Sequence, residues 1–457
     1  MNTAIAEEFK DSGVPWIGEI PETWDVAMLK RTTYIKGRIG WQGLTTKEYL
    51  SEGQYLLVTG TDFENGRIAW SQCVCVDQER YDEDSYIQLK EDDILITKDG
   101  TIGKVAIVRG LPKPATLNSG VFVTRPIHGC YRPEFFYWVL ISDIFPEFIS
   151  SSMVGTTINH LYQKTFERFI YPLPSKPEQE RIVAYLDASC AVLDAAVAAK
   201  RRQLGILENL GQRIIHKAVT QGLRPDVSMK PSGMDWLPEV PAHWKVKQIK
   251  RACEIVRGKF THRPRNDPAF YDGEYPFVQT GDITAARKYI RSYSQTLNEM
   301  GLTVSKVFPR GTLVMSIAAN IGDVAILDFE ACFPDSMVGL IPGPHTNLNF
   351  LYYLMRAMKS IMLRSAVIST QLNLNYVRIG TNFAAFPPKK EQEKIAAFLD
   401  GKEQESLSLR TAIDDQITTL LAYRKSLIHE CVTGQRRLTE ADVARVTLGE
   451  SGIEKVA

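Results

Sequence analysis

The chain has 457 residues, 44% of them hydrophobic and 23% charged, with a formal net charge of +1. That composition excludes a disordered, collagen-like or disulfide-scaffold protein, and at roughly 100–200 residues per domain the length predicts two to four domains. With so little net charge, any nucleic-acid site must come from local clustering rather than from a bulk field. The seven cysteines (73, 75, 130, 190, 253, 332 and 431) have no zinc-site spacing and read as reduced thiols of a cytoplasmic protein. The N-terminus lacks the basic start and apolar run of a signal peptide. Apolar stretches such as Phe135 to Ile141 fall short of the roughly 18 residues of a membrane span, so no membrane role is expected.

Along the chain, residues 12–31 (SGVPWIGEIPETWDVAMLKR) open a stretch with short β-rich runs punctuated by Gly and Pro, among them Asp93-Ile-Leu-Ile-Thr97 and Gly120-Val-Phe-Val-Thr124. From Ser175 the character changes to good helix formers, and Ser175-Lys-Pro-Glu178 fits a capping box. Apolar positions 182, 186, 193, 197, 204, 207 and 214 then follow a helical seam. Gly205 and Gly211 cost roughly 1 kcal/mol each in a helix, so tertiary packing is expected to hold them.

At residue 232 the chain begins again. SGMDWLPEVPAHWKVKQIKR (232–251) repeats the first opening at an offset of 220. Ile102-Gly103 with Val105-Ala-Ile107 recurs as Ile321-Gly322 with Val324-Ala-Ile326, and Phe135-Phe-Tyr-Trp138 as Phe350-Leu-Tyr-Tyr353. From Glu178-Gln-Glu180 and Glu391-Gln-Glu393 the offset stays at 213 through Val219-Thr220 and Val432-Thr433. Leu399, Leu409, Ile413, Ile417, Leu420 and Leu427 form the second seam. A period this long marks a duplicated domain pair rather than a solenoid, whose repeats run to roughly 20–50 residues.

The expected fold is α+β: two pseudo-repeated mixed β/α domains joined by two long antiparallel helices, a coiled-coil-like spacer with pseudo-twofold symmetry. A helix of about 40 residues rises roughly 60 Å. The expected divisions are 1–174 (first head), 175–222 (central helix), 223–387 (second head), 388–435 (C-terminal helix) and 436–457 (tail).

Catalytic motifs are missing. The chain has no GxxxxGK[ST], GxGxxG after a strand, HExxH or GxSxG. Phe386-Pro-Pro388 lacks the leading Asn or Asp of an amino-methyltransferase motif and reads as a stop before a helix, and Asp400-Gly-Lys402 lies on a helix seam rather than in a nuclease site. The histidines are dispersed, and His216 and His429 are duplicates near helix ends.

Charge clustering says more. Residues 243–265 hold eight Lys or Arg against Glu254, a composition suited to phosphate contacts. Residues 77–93 hold eight acids against two bases and are expected to face solvent or another protein. Arg matches guanine O6/N7, and Asn or Gln matches adenine N6/N7. On that basis the candidate DNA-binding residues of the first head are Arg38, Trp41, Gln42, Lys98 and Asn118, then Asn159 and Gln163 in the stretch 156–163. Those of the second head are Lys259, Arg263, Arg265 (with Asn266), Gln279, Asn320, Gln371 and Asn373.

The paired openings Trp16-Ile-Gly-Glu-Ile-Pro-Glu-Thr-Trp24 and Trp236-Leu-Pro-Glu-Val-Pro-Ala-His-Trp244 carry a resemblance, together with Pro-x-x-x-Glu-Gln-x-x-Ile at 174–182 and 387–395. Over residues 12–435 the chain resembles the specificity (S) subunit of type I restriction–modification systems. The resemblance implies that each head is a target recognition domain reading one half of a bipartite DNA sequence, and that the helices set the gap and dock two methyltransferase (M) subunits. It implies no catalysis and no cofactor on this chain. S-adenosylmethionine, ATP and Mg belong to partner subunits, among them a restriction/translocase (R) subunit where one is present. Differences between the copies at 63–100 and 283–320 predict an asymmetric target. Two other readings compete: a coiled-coil adaptor with two protein-binding heads and no DNA role, and a self-contained DNA-modifying enzyme.

Overall fold

The structure, a computed structural model, describes residues 8–38, 44–152, 160–318, 320–365, 367–368, 372–373 and 376–449. The chain forms two compact units, one of residues 1–201 with 414–457 and the other of residues 202–413. Each unit therefore contains one head, the start of the helix that follows it, and the end of the other helix.

The duplication is visible strand by strand. In the first head an antiparallel sheet runs Val105–Ile107, Ile94–Thr97, Val121–Pro126, Thr33–Gly37. In the second, Val324–Leu327, Leu313–Ser316, Met337–Pro342 and Cys253–Arg257 take the same order, with Tyr289–Ile290 added in parallel at the edge. The inner strands are nearly all apolar because both faces are covered: Ile94 to Thr97 and Leu313 to Ser316 are buried throughout. A second small sheet packs beside each, Ala115–Leu117 with Tyr55–Val58 and Val74–Val76 in the first head. The last strand of each head returns to its opening in the same register. Leu173 pairs with Asp25 and Ile170 with Met28, as Phe386 pairs with Lys245 and Phe383 with Gln248.

Two long helices follow, Lys176–Gln221 and Lys389–Thr433. The expected cap is present at the first: the Glu178 carboxylate accepts from Ser175 N at 3.2 Å and from Ser175 Oγ at 2.8 Å. In the first unit the helices run antiparallel. Moving from Glu178 to Asp194 along one, the partners step back from Arg437 (2.8 Å), just past the end of the other, to Arg424 (2.9 Å). In the second unit Glu208 pairs with Arg410, while Ile215 and Leu399 share one core.

The seams are buried where a head covers them: Ile182, Leu186, Leu193 and Val197, then Leu399, Leu420 and Leu427. Between those stretches they are half-buried at Leu204, Leu207 and Ile413 and open at Leu409, which is 53% exposed; Ile206 and Leu210 are exposed as well. The two helix glycines themselves face open space. A Cβ at Gly205 or Gly211 would meet nothing within 4 Å, so the contacts of that stretch come from its neighbours, the half-buried Leu204, Leu207 and Ile214 and the Glu208–Arg410 pair. The sequence reading also underrated the first helix, which contains an 18-residue window of mean hydropathy 1.7 and is long and apolar enough to cross a membrane. Its acids are nonetheless bonded inside the unit, Asp187 to Trp138 Nε1 at 3.0 Å and Asp194 to Arg424.

The two sequence motifs meet in space. Trp24 and Trp244 are fully buried, so each indole N–H needs an acceptor. Trp24 donates to Glu178 at 3.0 Å and Trp244 to Glu391 at 3.2 Å, joining each domain opening to the Glu-Gln motif of its helix. The next residue locks the joint. Gln179 accepts from Arg132 N at 2.8 Å and donates to Pro174 O at 2.9 Å, and Gln392 does the same with Asn347 N and Pro387 O, both at 2.8 Å. The opposite helix end completes it. Gly434 (φ +77°) lies against Trp24 and Pro21, and Gly222 (φ +78°) against Trp244. Both end a helix in the left-handed conformation that favours glycine.

Burial alone would raise the Glu178 carboxyl, but the bonds from Trp24 and Ser175 and the charge of Arg437 outweigh it and hold it below the usual glutamate range. Its stabilising effect is therefore full above the unfolded-state value of about 4.3 and fades as pH falls through the folded value. Urea unfolding between about pH 3 and pH 7 should show a shallower acid-side loss in Glu178→Gln than in the parent. Glycine substitutions should act in opposite directions. Gly434→Ala, whose Cβ would lie 2.5 Å from Pro21 Cδ, should lower stability by about 1–2 kcal/mol, whereas Gly205→Ala and Gly211→Ala should each raise it by up to about 1 kcal/mol in thermal melts.

Candidate nucleic-acid interface

Each head carries polar residues on the loops leaving its main sheet, and the two heads use them differently. In the first, the strand Thr33–Gly37 delivers Arg38 inward. Arg38 is 1% exposed, and its Nε donates to Leu117 O at 2.8 Å and its Nη1 to Glu83 at 2.5 Å. Burial lowers its pKa and Glu83 opposes the shift. Arg38 is thus a buried structural cation with its donors spent inside the head.

The acidic stretch explains that pairing: most of its acids face solvent, as expected, and several also pair with cations of their own head. Glu83 also pairs with Arg80 at 3.2 Å, Asp84 with Lys36 at 3.9 Å and Asp93 with Arg125 at 2.6 Å, while Asp77 caps a short helix at Gln78–Asp82. These acids fold over the cations of their own head, which a linear count of charge cannot show.

Other first-head candidates are also engaged. Lys98 is buried with its Nζ 5.1 Å from the Phe122 ring centre, and burial pulls its pKa down. Asn118 braces the neighbouring loop, donating to Tyr49 Oη at 2.8 Å and accepting from Leu44 N at 3.3 Å. Gln163 is exposed and bonds to Glu167 at 3.0 Å. Trp41, Gln42 and Asn159 lie outside the described residues.

The second head gathers its candidates. Lys259, Arg263 and Arg265 are exposed on the loop after Cys253–Arg257. A single carboxylate, Asp335, collects Arg263 at 3.4 Å, Arg265, and Arg257 at 4.0 Å. Three guanidinium groups on one acid leave a local excess of positive charge, which favours a polyanion. Beside it, Arg265, Asn266, Gln279 and Gln295 line a hollow of about 310 Å³, and Gln279 Nε2 donates to Gln295 Oε1 at 3.0 Å. Asn320 is exposed and donates to Thr284 Oγ1 at 2.9 Å. Gln371 lies outside the described residues, and Asn373 is placed as backbone only, opposite Val367. Sequence reasoning missed Gln295 and Asp335, because only folding brings residues 263–265 next to residue 335. Among the described residues no group of three or more His, Cys, Asp or Glu could hold a metal ion.

A family model described as the type I restriction modification DNA specificity domain matches this chain twice, at residues 42–202 and 241–419. The chain belongs to that family. Among specificity subunits, it is 21% identical to that of the type I restriction enzyme MjaIX of Methanocaldococcus jannaschii, over 95% of this chain and 97% of that protein. It is 24% identical to the EcoKI specificity subunit of Escherichia coli K12 over 44% of each chain. The fold is shared with a chain in a structure titled as the basis of complex assembly and conformational transition of the type I R-M system (TM-score 0.69, 17% identity, covering 90% of this chain and 98% of that one). It is shared as well with the HsdS subunit of Thermoanaerobacter tengcongensis (TM-score 0.50, 17% identity, 91% and 98%). The doubled match accounts for the repeat and takes in both Glu-Gln motifs, at 174–182 and 387–395.

Burial separates the roles of the candidate side chains in this specificity chain. Arg38→Ala should act as a stability mutant, removing one partner of a buried ion pair at a cost of about 3 kcal/mol. Gln163→Ala should leave the urea midpoint unchanged; equal midpoints for Arg38→Ala and the parent would overturn the assignment.

Proposed function

We propose that this chain is the non-catalytic, sequence-reading subunit of a cytoplasmic type I restriction–modification complex. Each head reads one block of a bipartite, asymmetric duplex DNA target. The observation that carries this reading is one frame built twice with different polar loops. Sheet order and strand register repeat, yet the position holding the buried Arg38 in the first head holds Gly258 in the second, which displays its arginines on the following loop instead. A scaffold reading two different blocks needs a constant frame and divergent loops.

The long helices serve as spacer and as the platform for two methyltransferase subunits. Ile206 (65% exposed), Leu210 (50%) and Leu409 (53%) support this docking role, since apolar side chains standing open on a helix suit a protein partner. Those subunits bring S-adenosylmethionine, and an R subunit, where present, brings ATP and Mg. The same apolar residues favour the adaptor reading, so the test must measure DNA directly.

The chain reconstituted with its methyltransferase subunits should retain a specific duplex in a sequence-selective, salt-sensitive manner, and the purified chain alone should neither methylate nor cleave DNA. Partner binding without any DNA selectivity would establish the adaptor. Replacing residues 30–160 with another head should change one block of the methylated sequence only, and a change in both would refute modular reading. Four residues inserted after Ala196 should lengthen the unread gap, with block centres starting on the order of 10 base pairs apart, and leave both blocks unchanged.

A further inference from the structure

The loop after the strand Cys253–Arg257 is braced at nearly every residue. Gly258 has no room for a side chain, because a Cβ there would lie 2.2 Å from Pro334 O. Phe260 is buried in a small core with Phe277, Leu297 and Cys332. His262 stacks on Phe270 at 3.9 Å between ring centres and bonds to Asp267 at 3.1 Å. Arg263 turns back on the loop, its Nη1 donating to Phe260 O and His262 O, both at 2.7 Å, and its Nη2 approaching Asp335 at 3.4 Å. Its donors are therefore largely used within the head.

Arg265 is held differently. Its carbonyl accepts from Tyr271 Oη and its Nη2 is bonded to Asp335, yet the side chain remains 47% exposed. It lines the hollow that also contains Gln279 and Gln295.

We propose that Arg265 is the guanine-reading side chain of the second head, with Asp335 as its positioning residue. This deepens the specificity reading above and rests on it. A guanidinium presents two parallel donors, and among base edges in the major groove guanine offers the matching pair of acceptors, O6 and N7. Free in solution an arginine samples many rotamers, and binding must pay for fixing one. A carboxylate already bonded to Nη2 fixes the fork before DNA arrives and leaves its other donors for the base. The block read by the second head therefore contains a G·C pair recognised by this residue. The first head has no equivalent in Arg38, whose guanidinium is buried on Glu83 and Leu117 O.

The test uses the full chain assembled with its methyltransferase subunits. Mapping methylated adenines gives the target, and head exchange assigns the blocks. Binding is then measured for the target duplex and for every single base-pair substitution in the second head's block, at several salt concentrations. The proteins compared are the parent, Arg265→Ala, Asp335→Asn and, as a control, Arg310→Ala, which removes an exposed arginine paired with Asp328. In the parent, replacing one G·C pair should weaken binding roughly 10- to 100-fold. Arg265→Ala should lose a similar factor on the parent target and become indifferent to that pair alone, with penalties in the first head's block unchanged. Asp335→Asn should lose part of the discrimination at the same pair, and Arg310→Ala none. A block without G·C, or an unaltered penalty profile in Arg265→Ala, would overturn the proposal. So would a uniform loss across all sequences with the salt slope reduced by about one, the mark of a phosphate contact. A parent complex with no sequence-selective binding would sink the specificity reading itself, and this assignment with it.

Discussion

In each unit a buried indole donates its N–H to a glutamate in the first turn of one long helix, and the terminal glycine of the other long helix closes on the same ring. Three requirements coincide there. A buried N–H must be bonded, a carboxylate in the first turn is favoured by the helix dipole, and a left-handed helix end close to an aromatic ring favours a residue without Cβ. The heads can diverge because this joint does not involve the loops that hold Arg38 and Arg265.

What diverges is the sign and placement of charge. The first head tucks its cations beneath its own acids, so that Lys36, Arg38, Arg80 and Arg125 are paired with residues of the 77–93 stretch. The second head has no such acidic cover on its loop of arginines and relies on Asp335. Two surfaces with different charge and hydrogen-bonding character arise from one sheet order.

Much of this was legible in the sequence. The offset repeat announces the duplicated fold, and the helix formers from Ser175 and Lys389 announce the two helices, because periodicity and propensity are local properties. The partner of Trp24 was not legible as a contact, since 154 residues separate it from Glu178, although both stood out as motif residues. Individual base-reading candidates were the least legible. Arg38 and Arg265 look alike in a linear chain, and only tertiary context buries the first and leaves the second half open.

The discontinuous first unit has a consequence for synthesis. Its N-terminal head and helix start are made early, but the segment that seats Gly434 on Trp24 emerges more than 200 residues after Arg201. At about 5–20 residues per second, the nascent head waits on the order of ten to forty seconds with one side of its tryptophan uncovered. Long-range closure of this kind slows folding, because the contact cannot form until residue 434 has been made.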